Sequence, residues 1–187
     1  IIIWNNMKKI IGLTGSIASG KEVTKKYIEE KYGAKSVKFS QIIRDVLGRL
    51  RIPINRKNMQ SMAMSLLGTF GDDLLAKNIV KDAEDQDADI VILDGVRRPA
   101  DIIHATKMGS FSLIAIDVSP EIRYERMKSR NENEGDINKT YEDFLKDHES
   151  ETEIMIPGLM ENADYTLENN GSLEELYEKI DKVISQI

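Results

Sequence analysis

Seven residues near the amino end, Gly15-Ser16-Ile17-Ala18-Ser19-Gly20-Lys21, carry the spacing G-x-x-x-x-G-K. That spacing suits a loop that cradles phosphate. Its glycines let the backbone turn tightly enough to aim N–H groups inward. A helix starting at the same point adds a partial positive charge. Lys21 adds a full charge that reaches toward the terminal phosphates of a nucleotide. The pattern continues with Ser or Thr, because that hydroxyl binds magnesium; here Glu22 follows. A carboxylate is also a hard oxygen ligand. Glu22 is therefore either a metal ligand or a negative charge that repels phosphate and weakens catalysis. The plainer alternative for the segment is a glycine-containing turn with an exposed lysine.

Phosphoryl transfer needs charge neutralisation and in-line positioning more than covalent help. Asp94, at the end of the run Ile90-Val91-Ile92-Leu93, is the candidate magnesium-side acid, acting directly or through water. Arg44, Arg97 and Arg98 are candidates for the acceptor's anionic group, since guanidinium matches phosphate bidentately; the alternative is surface pairing with Asp45 or Asp101. Arg123, Arg126 and Arg130 lie on or near one helical face. Arg126 and Arg130 are the catalytic candidates there, carried onto the transferring phosphate by a closing lid that excludes water. Arg123 is assigned to pairing with Glu121 or Glu125. His104 and His148 lack a partner spacing for metal or nucleophilic chemistry and read as surface or local structure. The acidic run Glu142 to Glu153 reads as a solvated helix face.

These residues need elements to hold them. Lys8 to Thr14 reads as a buried strand, and Lys21 to Lys31 as a helix with Val23, Tyr27 and Ile28 inward, stopped at Gly33. Ser36 to Phe39 is a short strand, and Ser40 caps a helix carrying Ile42, Ile43, Val46, Leu47 and Leu50. Asn58 to Leu67 is Met-rich and helical, and a further helix runs from Phe70-Gly71-Asp72 to about Gln86. The run Asp89 to Asp94 has the composition of a strand buried on both faces of a parallel sheet. Its arginines then fall at the strand's carboxyl end, where open α/β sheets bind ligands. Pro99 starts a helix to about Met108. Phe111 to Asp117 is a strand, followed by a helix from Ser119-Pro120-Glu121 to Arg130. Asn131 to Thr140 is a loop, and Tyr141 to about Glu151 a short acidic helix. Ala163 to Leu167 is the last strand, and Ser172 with Glu175 forms a capping box for the closing helix. Strands alternating with helices predict a mostly parallel sheet covered on both faces.

The 187 residues suit one domain with a sizeable core. A net charge of −6 argues against broad nucleic-acid or membrane-surface binding, so a polyphosphate needs a local positive pocket. Cysteine is absent, which excludes disulfides and thiol chemistry. No apolar run approaches ~18 residues. A cytoplasmic protein is expected, a monomer or small homo-oligomer, with no nucleic-acid or membrane partner. The domain is expected over 7–187, with Ile1–Asn6 read as upstream or disordered sequence.

The chain resembles known kinases at several points. Ile11-Gly12-Leu13-Thr14-Gly15 through Gly20-Lys21 is similar to the opening of dephospho-CoA kinases, as are Ala163 to Leu167 and Asn169-Asn170-Gly171-Ser172-Leu173-Glu174 near the end. Asp94-Gly95-Val96-Arg97-Arg98 resembles the D-G-x-x-R segment that holds acceptor phosphate in adenylate and deoxynucleoside monophosphate kinases. Phe39 to Arg44 resembles their segment with an acceptor-binding arginine, and Arg123 to Arg130 their helix entering the lid. The likeness implies an α/β, three-layer P-loop NTPase fold of the nucleoside-monophosphate-kinase branch, with a five-stranded parallel sheet. It implies a helical acceptor-binding insertion at about 40–88 and a short lid at about 126–142. It implies ATP and Mg2+, the phosphates on Gly15 to Glu22, the base beside Asn170 and Gly171, and the metal on Asp94 with Glu22. Dephospho-CoA kinases place an acid after the second strand, where this chain has Ser40. An acceptor that is already an anionic phosphate needs no such base. The expectation is therefore a nucleoside or deoxynucleoside monophosphate acceptor, with dephospho-CoA as the alternative. From another class, the alternative is an ATP-binding switch or degenerate kinase that transfers nothing, and a further one is an ATPase with acceptor-independent turnover.

Overall fold

The computed structural model describes residues 8–130, 138–147 and 153–187. Five strands, β1 (Lys9–Thr14), β2 (Lys35–Lys38), β3 (Ile90–Asp94), β4 (Phe111–Asp117) and β5 (Tyr165–Glu168), form one sheet in the order β2-β3-β1-β4-β5. Every pairing is parallel. The helices are α1 (Lys21–Tyr32), α2 (Phe39–Arg49), α3 (Arg56–Phe70), α4 (Leu74–Glu84), α5 (Pro99–Ile102), α6 (Pro120–Arg130), α7 (Tyr141–Asp147), α8 (Ile156–Glu161) and α9 (Leu173–Ile184). This is the expected three-layer arrangement. Among the described residues, no helix is long and apolar enough to cross a membrane.

The pleat sorts the strand side chains to two faces. Ile10, Val91, Leu93 and Leu113 pack with Ile43 and Leu47 of α2 and Leu75 and Ile79 of α4. Ile11, Leu13, Ile90, Ile92 and Ile114 pack with Ile28 of α1 and Leu176, Ile180 and Ile184 of α9. Both faces of β1 and β3 are therefore buried, and their continuous apolar runs follow from that. Register places the strand ends together: Leu13 pairs with Asp94, and Lys38 with Asp94.

Some boundaries move. Phe39 opens α2 rather than closing β2, because its ring is buried among the α2 and α4 side chains. Asn55 caps α3 through its side chain, so that helix starts earlier and runs longer than the Met-rich stretch alone suggests. The helix from Pro99 ends at Ile102 and passes into a short 3-10 turn. Val23 is exposed, and Thr24 and Lys25 take its place on the buried side of α1. The loop expected from Asn131 lies mostly outside the described residues, as does His148.

Candidate functional site

The glycine-bounded loop joins β1 to α1 at the carboxyl edge of the sheet. Gly15 has φ +148° and Gly20 φ +103°, conformations that suit residues without a Cβ. A Cβ on Gly15 would stand 2.7 Å from the Ile116 carbonyl oxygen and 2.7 Å from Ser19 Oγ. Ala18 also sits at φ 62°, a mildly strained value for an L-residue. Lys21 curls back over the loop: its Nζ donates to the carbonyls of Gly15 at 2.5 Å and Ser16 at 2.9 Å. Burial pulls the Lys21 ammonium down to about 8, against the opposing field of Glu153.

Distant segments brace this loop. The buried Asn169, just past β5, donates through Nδ2 to the Ser19 carbonyl at 2.8 Å. A Cβ on Gly20 would meet that same nitrogen at 2.4 Å. Arg126 Nη2 donates to the Asn169 carbonyl at 2.9 Å. Arg123, assigned from sequence to surface pairing, is instead buried. It donates to the carbonyls of Val118 at 3.1 Å and Ile17 at 3.4 Å. Its guanidinium also lies over the Phe144 ring. Its signal in the sequence was the apolar contact face it shares with Met127, four residues on, which is also buried. Thr14 Oγ1, Ser19 Oγ, Thr24 Oγ1 and Asn169 Oδ1 are buried without a hydrogen-bond partner among the described residues. All four belong to the loop or to the segments touching it. Buried polar atoms are ordinarily paired, so their concentration here marks a polar site.

Glu22 and Asp94 do come together, and what joins them is Lys25. Lys25 Nζ donates to Glu22 Oε2 at 2.5 Å and to Asp94 Oδ2 at 2.9 Å. Lys38 Nζ lies 3.6 Å from the same Asp94 oxygen. Lys25 is only 4% exposed. Burial alone lowers an ammonium's affinity for its proton, but the bonds to Glu22 and Asp94 outweigh it and carry Lys25 to about 12. The two carboxylates thus already face two fixed cations, Lys25 and Lys38. As they stand they do not fit a divalent ion, which would have to share them with Lys25 and Lys38. Among the described residues no cluster of three His, Cys, Asp or Glu side chains could hold a metal.

The arginines divide. Arg98 forks onto Asp101, with Nε at 3.1 Å and Nη2 at 2.8 Å from Oδ1. The other Asp101 oxygen accepts the backbone N–H groups of Arg97 and Arg98, so Asp101 closes the turn after β3. Arg97 is exposed, and its Nη1 lies 3.4 Å from Glu153. Glu153, read from sequence as part of a solvated face, is 5% exposed, and its second oxygen has no hydrogen-bond partner among the described residues. Arg44 is exposed on α2, whose first residue borders Gly95. His104 Nε2 lies 2.8 Å from Asp73 and ties the turn before α4 to the segment after α5. Arg126 and Arg130 line a cavity of about 620 Å³ that also touches Ala18, Gly20 and Val23. Asn170 accepts from the Ser119 N–H through Oδ1, and Gly171 packs against Glu175.

Comparison with known proteins agrees with this architecture. A UPF0200 protein of Thermococcus kodakarensis is 30% identical over 186 residues, covering 95% of this chain and 97% of the relative. A UPF0200 protein of Methanococcus maripaludis is 28% identical over 182 residues, covering 96% and 97%. Among solved structures, TT1252 from Thermus thermophilus superposes with a TM-score of 0.64 at 16% identity, covering 96% of this chain and 97% of that one. Shikimate kinase from Bacteroides thetaiotaomicron superposes with a TM-score of 0.60 at 13% identity, covering 95% and 97%. The fold is therefore one that a kinase also uses. Residues 11–155 match the AAA domain family model AAA_18, and the chain belongs to that family, in its UPF0200 group.

Proposed function

We propose that this chain transfers a phosphoryl group from ATP to a small nucleotide-type acceptor, a nucleoside or deoxynucleoside monophosphate in preference to dephospho-CoA. The observation that carries this reading is Lys21, turned onto the carbonyls of Gly15 and Ser16 across a loop whose backbone admits nothing larger than glycine at its first position. Phosphate oxygens would draw Lys21 off those carbonyls and take the loop N–H groups as donors. The base would lie in the cavity beside Arg126 and Arg130, between Val23 and α6. Residues 40–88 would carry the acceptor, with Arg44 and Arg97 toward its phosphate and Arg98 holding the turn that places Arg97. Residues 126–142 would form the lid. A phosphate acceptor needs no general base, which suits a chain with Ser40 after β2. Magnesium enters as the counter-ion of ATP in solution. Asp94 and Glu22 are engaged by Lys25.

The test is ADP release from ATP with a panel of nucleoside monophosphates, deoxynucleoside monophosphates and dephospho-CoA. Turnover is expected only when an acceptor is present, and Lys21→Ala should lower it by about 10²–10³-fold. ATP binding without turnover on any acceptor would instead make the protein a nucleotide-binding switch. Acceptor-independent turnover would make it an ATPase.

A further inference from the structure

We propose that the Lys25 ammonium is a built-in counter-charge of the phosphate site, standing between Glu22 and Asp94 where a divalent ion would otherwise join the two acids, so that this chain grips nucleotide without a metal bridge to the protein. The inference rests on the nucleotide-binding reading above and adds to it how the two acids beside the loop are kept from repelling phosphate.

The geometry is specific. Lys21 and Lys25 lie four residues apart on α1 and so project from the same side of the helix. Lys21 serves the loop and Lys25 the acids behind it. Glu22, one turn before Lys25, holds one N–H, and Asp94 at the end of β3 holds another. An ammonium has three donors, and the two carboxylates take two of them. Burying a lysine is costly unless it is paired, and here two carboxylates pair it. Lys38 approaches the same Asp94 oxygen from β2. Two acids against two lysines leave the cluster near neutral, and a dication added to it would meet repulsion from both ammonium groups. This also explains Glu22. A hydroxyl at that position could coordinate a metal but could not neutralise a buried lysine; a carboxylate can.

The test is ATP binding by calorimetry, for wild type and Lys25→Met, in excess EDTA and in excess magnesium. Wild type should bind in EDTA, with Kd improving less than about threefold on adding magnesium. Lys25→Met should lose about tenfold or more in EDTA and recover part of that loss with magnesium, while Lys25→Arg should keep binding in EDTA. A wild-type improvement with magnesium beyond threefold, or Lys25→Met binding as well as wild type in EDTA, overturns the proposal. If Lys25→Met does not fold, the wild-type comparison and Lys25→Arg decide alone. Absence of ATP binding by wild type under both conditions would remove the nucleotide reading itself; binding that demands magnesium would remove only the role of Lys25.

Discussion

The loop edge of the sheet and the α2–α4 flank are held together in different ways. At the loop, polar bonds join segments far apart in the chain: Asn169 to Ser19, Arg123 to Ile17, and Lys25 to Asp94. On the flank many side-chain bonds are local: Gln41 to Asp45, Asn55 to Asn58, and Lys77 to Asp73, while His104 to Asp73 and Lys8 to the carbonyls of Ala83 and Glu84 are long-range. No residue of α3 is buried. Leu50, Ile54, Met64 and Phe70 are 47–70% exposed. A loop fixed from several directions keeps its N–H groups aimed before a ligand arrives, which lowers the reorganisation that binding requires. A flank with shallow burial opens at lower cost, as an acceptor-binding arm needs. Rigidity thus sits on the proposed donor side and freedom on the proposed acceptor side.

The sharpest way to break this contrast is a pair of glycine substitutions. Gly15→Ala puts a methyl group 2.7 Å from the Ile116 carbonyl, a backbone atom that cannot step aside. It should cost about 3 kcal/mol or more of stability, read as a lower urea midpoint. Gly68→Ala on α3 meets nothing within 4 Å. Glycine is a poor helix former, so this change should stabilise the protein by about 0.5–1 kcal/mol. Equal responses from the two sites would end the claim that the two regions differ.

Much of the fold is legible in the sequence. The glycine spacing, the apolar run ending in Asp94, and the Ser172–Glu175 capping box each depend on neighbours in sequence, and each lies where expected. The sheet followed from the alternation of runs that are apolar on both faces. What could not be read was long-range pairing. Nothing near Lys25 in sequence reveals that Asp94 arrives from another strand to meet it. Charged residues usually face solvent, so the sequence points Arg123 to pairing with Glu121 or Glu125 and Glu153 to a solvated face. Their burial depends on where β4 and α7 bring Val118 and Phe144, and on where the turn after β3 brings Arg97. Arg98 had two candidate partners in sequence, and local geometry favoured Asp101, three residues on.

A smaller effect is expected at Asn169. Asn169→Ala removes the donor to the buried Ser19 carbonyl and leaves that oxygen unpaired, which should cost about 1–3 kcal/mol. Part of the loss should be confined to the loop, so ATP affinity should fall by more than global stability predicts. Gln41→Ala removes only an exposed bond to Asp45 on the flank and should change stability by less than about 0.5 kcal/mol. Thermal melts beside ATP calorimetry separate the two. An Asn169→Ala protein that melts lower yet binds ATP normally would show that the brace serves the fold and not the loop.

The effect closest to the chemistry is the pH dependence set by Lys21. Burial lowers its ammonium in the free protein to about 8, from the ordinary lysine value of 10.5. In that window the unfolded chain holds the proton and the folded chain does not, so stability gains a contribution as pH rises through it and loses that contribution as pH falls through about 8. Nucleotide binding should act in the opposite sense. Phosphate oxygens favour the charged lysine, so ATP binding above about pH 8 should take up a proton and weaken as pH rises, by at most about tenfold per pH unit. Calorimetry in buffers of different ionisation enthalpy at pH 9 measures that proton directly. Lys21→Arg keeps its charge across this range and should show no uptake. Lys25, held at about 12 by its two acids, should contribute none below pH 10. Proton uptake that persists in Lys21→Arg would place the titrating group elsewhere and would remove Lys21 as the residue that changes partners when phosphate arrives.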